Sequence, residues 1–259
     1  MTEPETARTP WRTRLRWGIM VLLLMGTAAL LLGANSWKRT LNVSSVVVHG
    51  TSLVGTPEIL AVAQVTRGTP LFSLDLGLVK RRLEQHPYVS CASVQRDTPD
   101  RITIVITERE PIAVVLASQP VYLDSSGFVL PAVRSDHVFD LPVITGAVPS
   151  ADLVPGRRVA TAALRWTVLL LNTAREIGEE TERRISEVHL QENGDLILYA
   201  AEYGIPVIVD TADIAGGLLR LDGFWKDVVG RYGAQGLQYV DLRFKDQVVV
   251  RWSKQPGGQ

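Results

Sequence analysis

HPYVSCASVQRDTPDRITIVITEREP, residues His86–Pro111, has the pattern of strand, tight turn, strand, and then a knot of charge. Ile102, Ile104 and Ile106 alternate with Thr103, Val105 and Thr107, the period-2 signature of a strand buried on one face. Thr98-Pro99-Asp100 is turn chemistry: proline presets φ and aspartate closes an Asx turn. An isolated hairpin is marginal in water, so its apolar face requires a further strand and a covering layer.

The residues before the hairpin supply both. Ser45-Val-Val-Val-His-Gly50 is a short β-branched strand closed by glycine. Thr56-Pro57-Glu58 opens a helix, with threonine as the expected N-cap and proline at the first helical position. Ile59, Val62 and Ala63 give that helix one apolar face. After a loop over Thr66–Ser73, Leu76, Val79 and Leu83 mark a second amphipathic helix, which ends by Pro87. Two helices on one face of a three-stranded sheet make a small α+β domain over residues 43–111.

From Ala113 onward the texture changes to short strands and turns. Strands are expected at Ala113–Ala117, Val121–Leu123, Phe128–Leu130 and Leu141–Gly146, and a helix from about Ala160 to Ile177 with Leu164, Val168 and Leu171 inward. Glu187–Gln191 and Leu196–Tyr199 flank Asn193-Gly194, a hairpin signal. Ile205–Val209 follows, then a helix with Ile214, Leu218, Leu221, Trp225 and Val228 on one stripe. Leu237–Phe244 and Gln247–Trp252 close the chain as a hairpin. Residues 112–252 are therefore expected to form a mostly antiparallel sheet backed by two helices, and 253–259 a disordered tail.

The other end is a membrane anchor on this reading. No charged residue occurs from Trp17 to Trp37, and 21 residues at helical rise span roughly 31 Å, the thickness of a hydrocarbon core. Trp17 and Trp37 bracket the stretch, as interfacial aromatics do. Arg8, Arg12, Arg14 and Arg16 precede it, against Lys38 and Arg39 after it. This bias puts residues 1–16 in the cytoplasm, 17–37 across the membrane, and the remaining 222 residues outside the cytoplasm. The alternative is a signal peptide cleaved near Ala34, which exports the same residues.

The whole chain is charge-neutral, and without the tail's four Arg and two Glu it holds 23 basic against 25 acidic residues. That excludes the basic footprint of a nucleic-acid binder. Cys91 is the chain's one cysteine, so no internal disulfide forms, and its place on a strand reads as a buried structural thiol. His49, His86, His137 and His189 are scattered, with no metal-ligand spacing. No nucleophile elbow, phosphate loop or dinucleotide fingerprint occurs. No catalytic residue, cofactor or metal site is assigned, and the reading is not an enzyme. Glu108, Arg109 and Glu110 read as an ion-pair network at the domain junction or as a plain exposed cluster.

In this order and spacing the chain resembles the FtsQ/DivIB family of bacterial cell-division proteins. The resemblance is carried by VSSVVVHG, by GTPLFSLDLGLVKRRLEQHPYVSCASVQRDTPDRITIVITEREPIAV, which looks like the family's POTRA domain (β-α-α-β-β), and by LQYVDLRFKDQVVVRW, which is similar to its last hairpin. It implies an α+β protein with a single N-terminal transmembrane helix, a POTRA domain and a C-terminal β domain. It further implies a non-catalytic divisome scaffold that recruits FtsB and FtsL and links them to septal peptidoglycan synthesis. The alternatives are a POTRA chaperone-like protein of the envelope and an envelope enzyme with an unrecognised site. The chaperone reading lacks repeated POTRA domains or a barrel, and the enzyme reading lacks a convergent polar set.

The last hairpin is where the partner is expected. Val248, Val249 and Val250 are apolar on both faces of a strand that ends at Trp252, and an edge strand there would accept a partner strand. The resemblance implies strand addition by FtsB at this hairpin, with Phe244 and Trp252 as aromatic anchors and Arg243 as an ionic partner. If the Val249 N–H faces the open edge, Val249→Pro removes that addition. Where some relatives carry an arginine before the last helix, this chain has Asp210-Thr211-Ala212-Asp213.

Overall fold

The computed structural model describes residues 11–97, 99–132 and 139–253. Residues 1–10 of the expected cytoplasmic tail, Thr98 of the hairpin turn, His137, and residues 254–259 of the expected disordered tail lie outside the described residues.

Helix α1 (Trp11–Thr40) comes first. Its side chains are described over residues 15–30 and are exposed there all round. Among the described residues no helix is long and apolar enough to cross a membrane.

The decisive hairpin forms as expected. Strands β2 (Val89–Asp97) and β3 (Arg101–Glu108) pair antiparallel, and β1 (Ser45–His49) joins the far side of β3 in parallel. Ile102, Ile104 and Ile106 are buried under helices α2 (Thr56–Ala63) and α3 (Leu76–Glu84), together with Ile59, Ala63, Val79 and Leu83. Two sequence details are corrected. Thr56 is not the N-cap of α2: the Gly55 carbonyl accepts from Glu58 and Ile59, which moves the cap one residue back, and no side chain caps this end. Cys91 is exposed rather than buried, because alternation turns Ala92 toward the helices and Cys91 away. Helix α3 is capped by the Asp75 side chain, which accepts from the Leu78 N–H.

Among the described residues the second sheet has nine strands: β4 (Pro111–Val115), β5 (Val121–Asp124), β6 (Val129–Pro131), β7 (Val143–Gly146), β8 (Ile185–Leu190), β9 (Leu196–Ala200), β10 (Pro206–Val209), β11 (Leu237–Asp241) and β12 (Val249–Trp252). Their order is β12-β11-β10-β9-β8-β7-β4-β5-β6. The sheet is mixed. Five of its eight neighbour pairings are antiparallel, while β4/β7, β7/β8 and β10/β11 run parallel. Two of the parallel pairs bracket a crossover helix, α4 (Ala162–Ile177) between β7 and β8 and α6 (Ile214–Phe224) between β10 and β11. Parallel neighbours need such long connections. Helix α5 (Glu179–Arg183) is short and was not foreseen.

The stripe on the last helix also shifts. After α6 the chain makes a π-helical turn over Trp225–Val229 before α7 (Gly230–Tyr232). A π turn carries one more residue per turn than an α turn. The buried residue after Trp225 is therefore Val229 rather than Val228.

The charge knot divides its labour between the two sheets. Glu108 accepts from the N–H groups of Ser52, Leu53 and Val54 and from the Ser52 hydroxyl. Burial pushes this carboxyl up, but those donors outweigh it and hold the group below its usual range. Arg109 turns the other way, donating to Asp124 at 2.9 Å with its guanidinium 4.0 Å from the Phe128 ring centre. Asp124 is 4% exposed and also accepts from Ser126 N–H, Ser126 Oγ and Phe128 N–H. Glu110 is exposed. The network is two separate clamps rather than one cluster. Beside them Leu130 of β6 is fully buried in the first unit's core, and the Tyr88 hydroxyl donates to Pro131 O at 2.7 Å.

Candidate partner-binding edge

Sheet order makes β12 a terminal strand of the nine-stranded sheet among the described residues. One side of it is paired with β11, with Val240 opposite Val250 and Asp241 opposite Val249. The direction of its backbone groups follows from two bonds. Ser253 N–H donates to Gly236 O at 2.6 Å, and Leu242 N–H donates to Ile208 O at 2.9 Å. Backbone groups alternate sides along a strand, so the first bond turns residues 253, 251 and 249 toward β11 and residues 252 and 250 outward. The second bond turns Val240 toward β10 and Asp241 toward β12, which makes Asp241 and Val249 a hydrogen-bonded pair. Both routes agree. The Val249 N–H faces the ladder, and Val250 and Trp252 hold their N–H and C=O groups toward the open edge.

Side chains complete the edge. Val248 and Val250 pack against the helix-covered core, and Val249 lies half-buried on the opposite face. Trp252 is 40% exposed at the strand's end, and Phe244 is 46% exposed. Phe244 and Arg243 lie in the connection between β11 and β12, since those strands stop at Asp241 and resume at Val249. The structure thus brings Val249, Val250 and Trp252 onto one strand, with Val248 at its entrance and Arg243 and Phe244 in the loop beside it.

Two supports of this loop were not foreseen. Asp241 is buried, and Arg243 clamps it with two bonds, Nε to Oδ1 at 3.0 Å and Nη2 to Oδ2 at 2.7 Å, while the Arg243 N–H adds a third at 3.0 Å. The signal was present in Asp241-Leu-Arg243, an acid and a base two residues apart on one side of the chain. Arg220 of α6 donates to Asp213 Oδ2 at 3.0 Å and to Leu242 O at 3.2 Å, tying the helix to the end of β11. Asp213 also accepts from Gly216 N–H and so caps α6. The acidic Asp210–Asp213 segment is therefore paired inside the chain.

The guanidinium of Arg243 holds the Asp241 carboxyl below its usual range, against the opposing effect of burial. A carboxyl with a lowered folded value stabilises above its unfolded value, and that stability disappears as pH falls through the folded value. Asp241→Asn is expected to cost about 1–2 kcal/mol at pH 7, reduced from a fully buried charged bond because half of Arg243 is solvated. Urea melts of the two chains from pH 7 down to pH 3 check this: the difference should shrink on acidification, and a pH-independent difference would assign the cost to packing.

Among the described residues no group of three or more His, Cys, Asp or Glu side chains could hold a metal. A cleft of about 660 Å³, lined by Arg184, Glu202, Trp225 and Lys226 among others, has its charges tied up internally. Arg184 and Lys226 pair with Asp222, and the Trp225 N–H donates to Glu202.

Residues 41–109 match the family model of the FtsQ-type POTRA domain. Residues 113–243, more than half of the chain, match that of the C-terminal part of the cell division protein FtsQ/DivIB. Cell division protein FtsQ of Rhodothermus marinus is 30% identical, over 93% of this chain and 87% of its own length. The FtsQ of Syntrophotalea carbinolica is 29% identical over the same shares, and that of Salinibacter ruber is 28% identical over 97% of this chain and 98% of its own.

Proposed function

This chain belongs to the FtsQ/DivIB family of cell-division proteins, and from that premise we propose that it is a non-catalytic scaffold of the divisome. It recruits the FtsB/FtsL pair and links it to septal peptidoglycan synthesis. The observation that carries the reading is the open β12 edge, with the N–H and C=O groups of Val250 and Trp252 directed outward. An extended FtsB segment adding there forms main-chain bonds, while Trp252 and Phe244 supply aromatic contact. Arg243 reaches the partner as a half-solvated group already held by Asp241, so it contributes orientation and charge.

The same reading divides the chain into a cytoplasmic tail (1–16), an inner-membrane helix (17–37), a POTRA domain (43–111), a C-terminal β domain (112–252) and a tail (253–259). The bulk lies outside the cytoplasm at the septum. Support for the anchor is the uncharged stretch Trp17–Trp37 within α1 and the outward display of Leu22, Leu23, Leu24, Met25 and Leu30.

Proline at position 250 tests strand addition. Val250→Pro removes an outward N–H without touching a ladder bond, since the bonded neighbours of β11 are Val249 and Arg251. It is expected to abolish capture of the FtsB/FtsL pair by the full-length protein with its circular dichroism spectrum unchanged. Val249→Pro is the contrasting variant, because it breaks a β11 bond and destabilises the hairpin itself. Undiminished capture by a folded Val250→Pro chain would eliminate strand addition at this edge.

A further inference from the structure

We propose that the end of the three-stranded unit next to α1 is a lipid-docking surface, on which the loop Thr66–Ser73 presents Phe72 to the membrane interface and Arg67 and Arg101 to anionic headgroups. The proposal rests on the reading of α1 as a membrane anchor and adds to it a second, reversible contact.

The first support is the absence of slack between helix and sheet. Helix α1 ends at Thr40, and the next residue is already fixed: Leu41 O accepts from Leu71 N–H at 2.8 Å. Asn42 bridges Pro70, Val43 N–H donates to Thr69 O at 2.9 Å, and Val43 O accepts from Gly68 N–H at 2.8 Å. Ser44 N–H then donates to Asp100 O at 2.8 Å in the β2–β3 turn. One residue separates the helix end from the loop that carries Phe72. At the reach of an extended chain this places the loop on the order of 10 Å from the end of a spanning helix, at headgroup depth.

The second support is that the loop is rigid while its aromatic residue points outward. Leu71 is fully buried, whereas its neighbour Phe72 is 41% exposed. Arg96 fastens the loop, its Nε donating to Leu71 O at 3.0 Å and its Nη2 to Leu74 O at 2.5 Å, and its guanidinium lies 5.8 Å from the Phe72 ring centre. The side chain is thus held in a solvent-facing position by the fold. An aromatic ring displayed at this depth is chemically suited to the interface.

Charge is the third support. Arg67 and Arg101 are exposed at this end, and Lys38 and Arg39 immediately precede the fixed segment in sequence. Asp100 and Asp97, hydrogen-bonded by the Ser44 and Thr103 hydroxyls, keep their charge, so these four cations stand against two acids. Cations at an anionic surface add to an apolar contact. Docking on lipid would fix the orientation of the whole extracytoplasmic part, and hence the height at which the β12 edge meets a partner that shares the membrane.

The test uses the full-length chain in nanodiscs of phosphatidylethanolamine and phosphatidylglycerol. A nitroxide attached through Phe72→Cys in a Cys91→Ser background is compared with one on the native Cys91, which is exposed near the other end of β2. The expected result is a label at position 72 that dissolved oxygen reaches and a nickel chelate does not, against a label at position 91 that both reach. Arg67→Ala and Arg101→Ala should each shift the docked-to-undocked ratio about fivefold toward undocked. A label at position 72 as accessible to nickel as that at position 91, in a chain retained by the bilayer after alkaline wash, overturns the docking alone. Shielding from both reagents would indicate a protein occupant and overturn it as well. Loss of the chain from the bilayer would overturn the anchor reading and the docking together.

Discussion

Ile104→Asp is expected to unfold the three-stranded unit. Ile104 is fully buried at the centre of the sheet, paired across to Val94 on one side and Val48 on the other. Its core cluster is apolar apart from Tyr88, whose hydroxyl is already donated to Pro131 O. Burying an unpaired charge there costs several kcal/mol beyond the lost packing, about 4–5 kcal/mol or more. A domain with a total stability of about 5–15 kcal/mol does not survive that at growth temperature. The control is Val105→Asp, since Val105 is exposed on the face away from the helices. Thr103 is on the same outer face but donates to Asp97, so an acid there would add repulsion and blur the comparison. Thermal melts followed by circular dichroism decide it. Equal damage at positions 104 and 105 would mean that the assigned faces are wrong.

Arg109→Ala is expected to loosen the junction between the two units. Among the described residues Arg109 is the one cation paired with Asp124, and Asp124 stays buried when it is removed. Breaking a buried pair from one side costs about 3–5 kcal/mol, because the remaining charge is uncompensated. The guanidinium also lies over Phe128, and its loss exposes a gap beside Leu130 and Tyr88, where β6 meets the first core. Calorimetry of the full-length protein in detergent should show one transition for the parent chain and two for Arg109→Ala. Asp124→Asn is the gentler variant: it keeps a carbonyl for Ser126 and Phe128 while discharging the pair, and it should lower the transition without splitting it. A single, unshifted transition in Arg109→Ala would show that the units are held by β5 and β6 packing alone.

Local pattern was enough for the first unit. Alternating isoleucines, a proline turn and two short amphipathic helices are each set by neighbours within a few residues, and a strand of period 2 has one way to turn its apolar side inward. The family likeness was legible for the same reason, in contiguous strings such as ITEREPIAV. What the pattern could not give was how the strands of the second sheet are ordered. β4, β7 and β8 are parallel neighbours although long stretches of chain separate them, and period 2 looks alike in a parallel and an antiparallel strand. The π turn at Trp225 was likewise invisible, since a helical stripe is read on the assumption of a constant pitch.

The candidate edge divides in the same way. That Val248–Trp252 is a strand, and that aromatic residues flank it, follows from the residues themselves. That β12 lies at the end of the sheet, and that Val250 rather than Val249 turns its N–H outward, depends on which strand pairs with β11 on each side and on the bulge between Leu237 and Tyr239. Likewise Arg109 and Asp124 are 15 positions apart, and Leu130 belongs by sequence to the second unit yet is buried in the core of the first. Sequence by itself determined the elements, because their apolar periodicities are local. Tertiary structure alone decided which backbone groups remained unpaired and which charges met, because those depend on distant segments excluding water from one another.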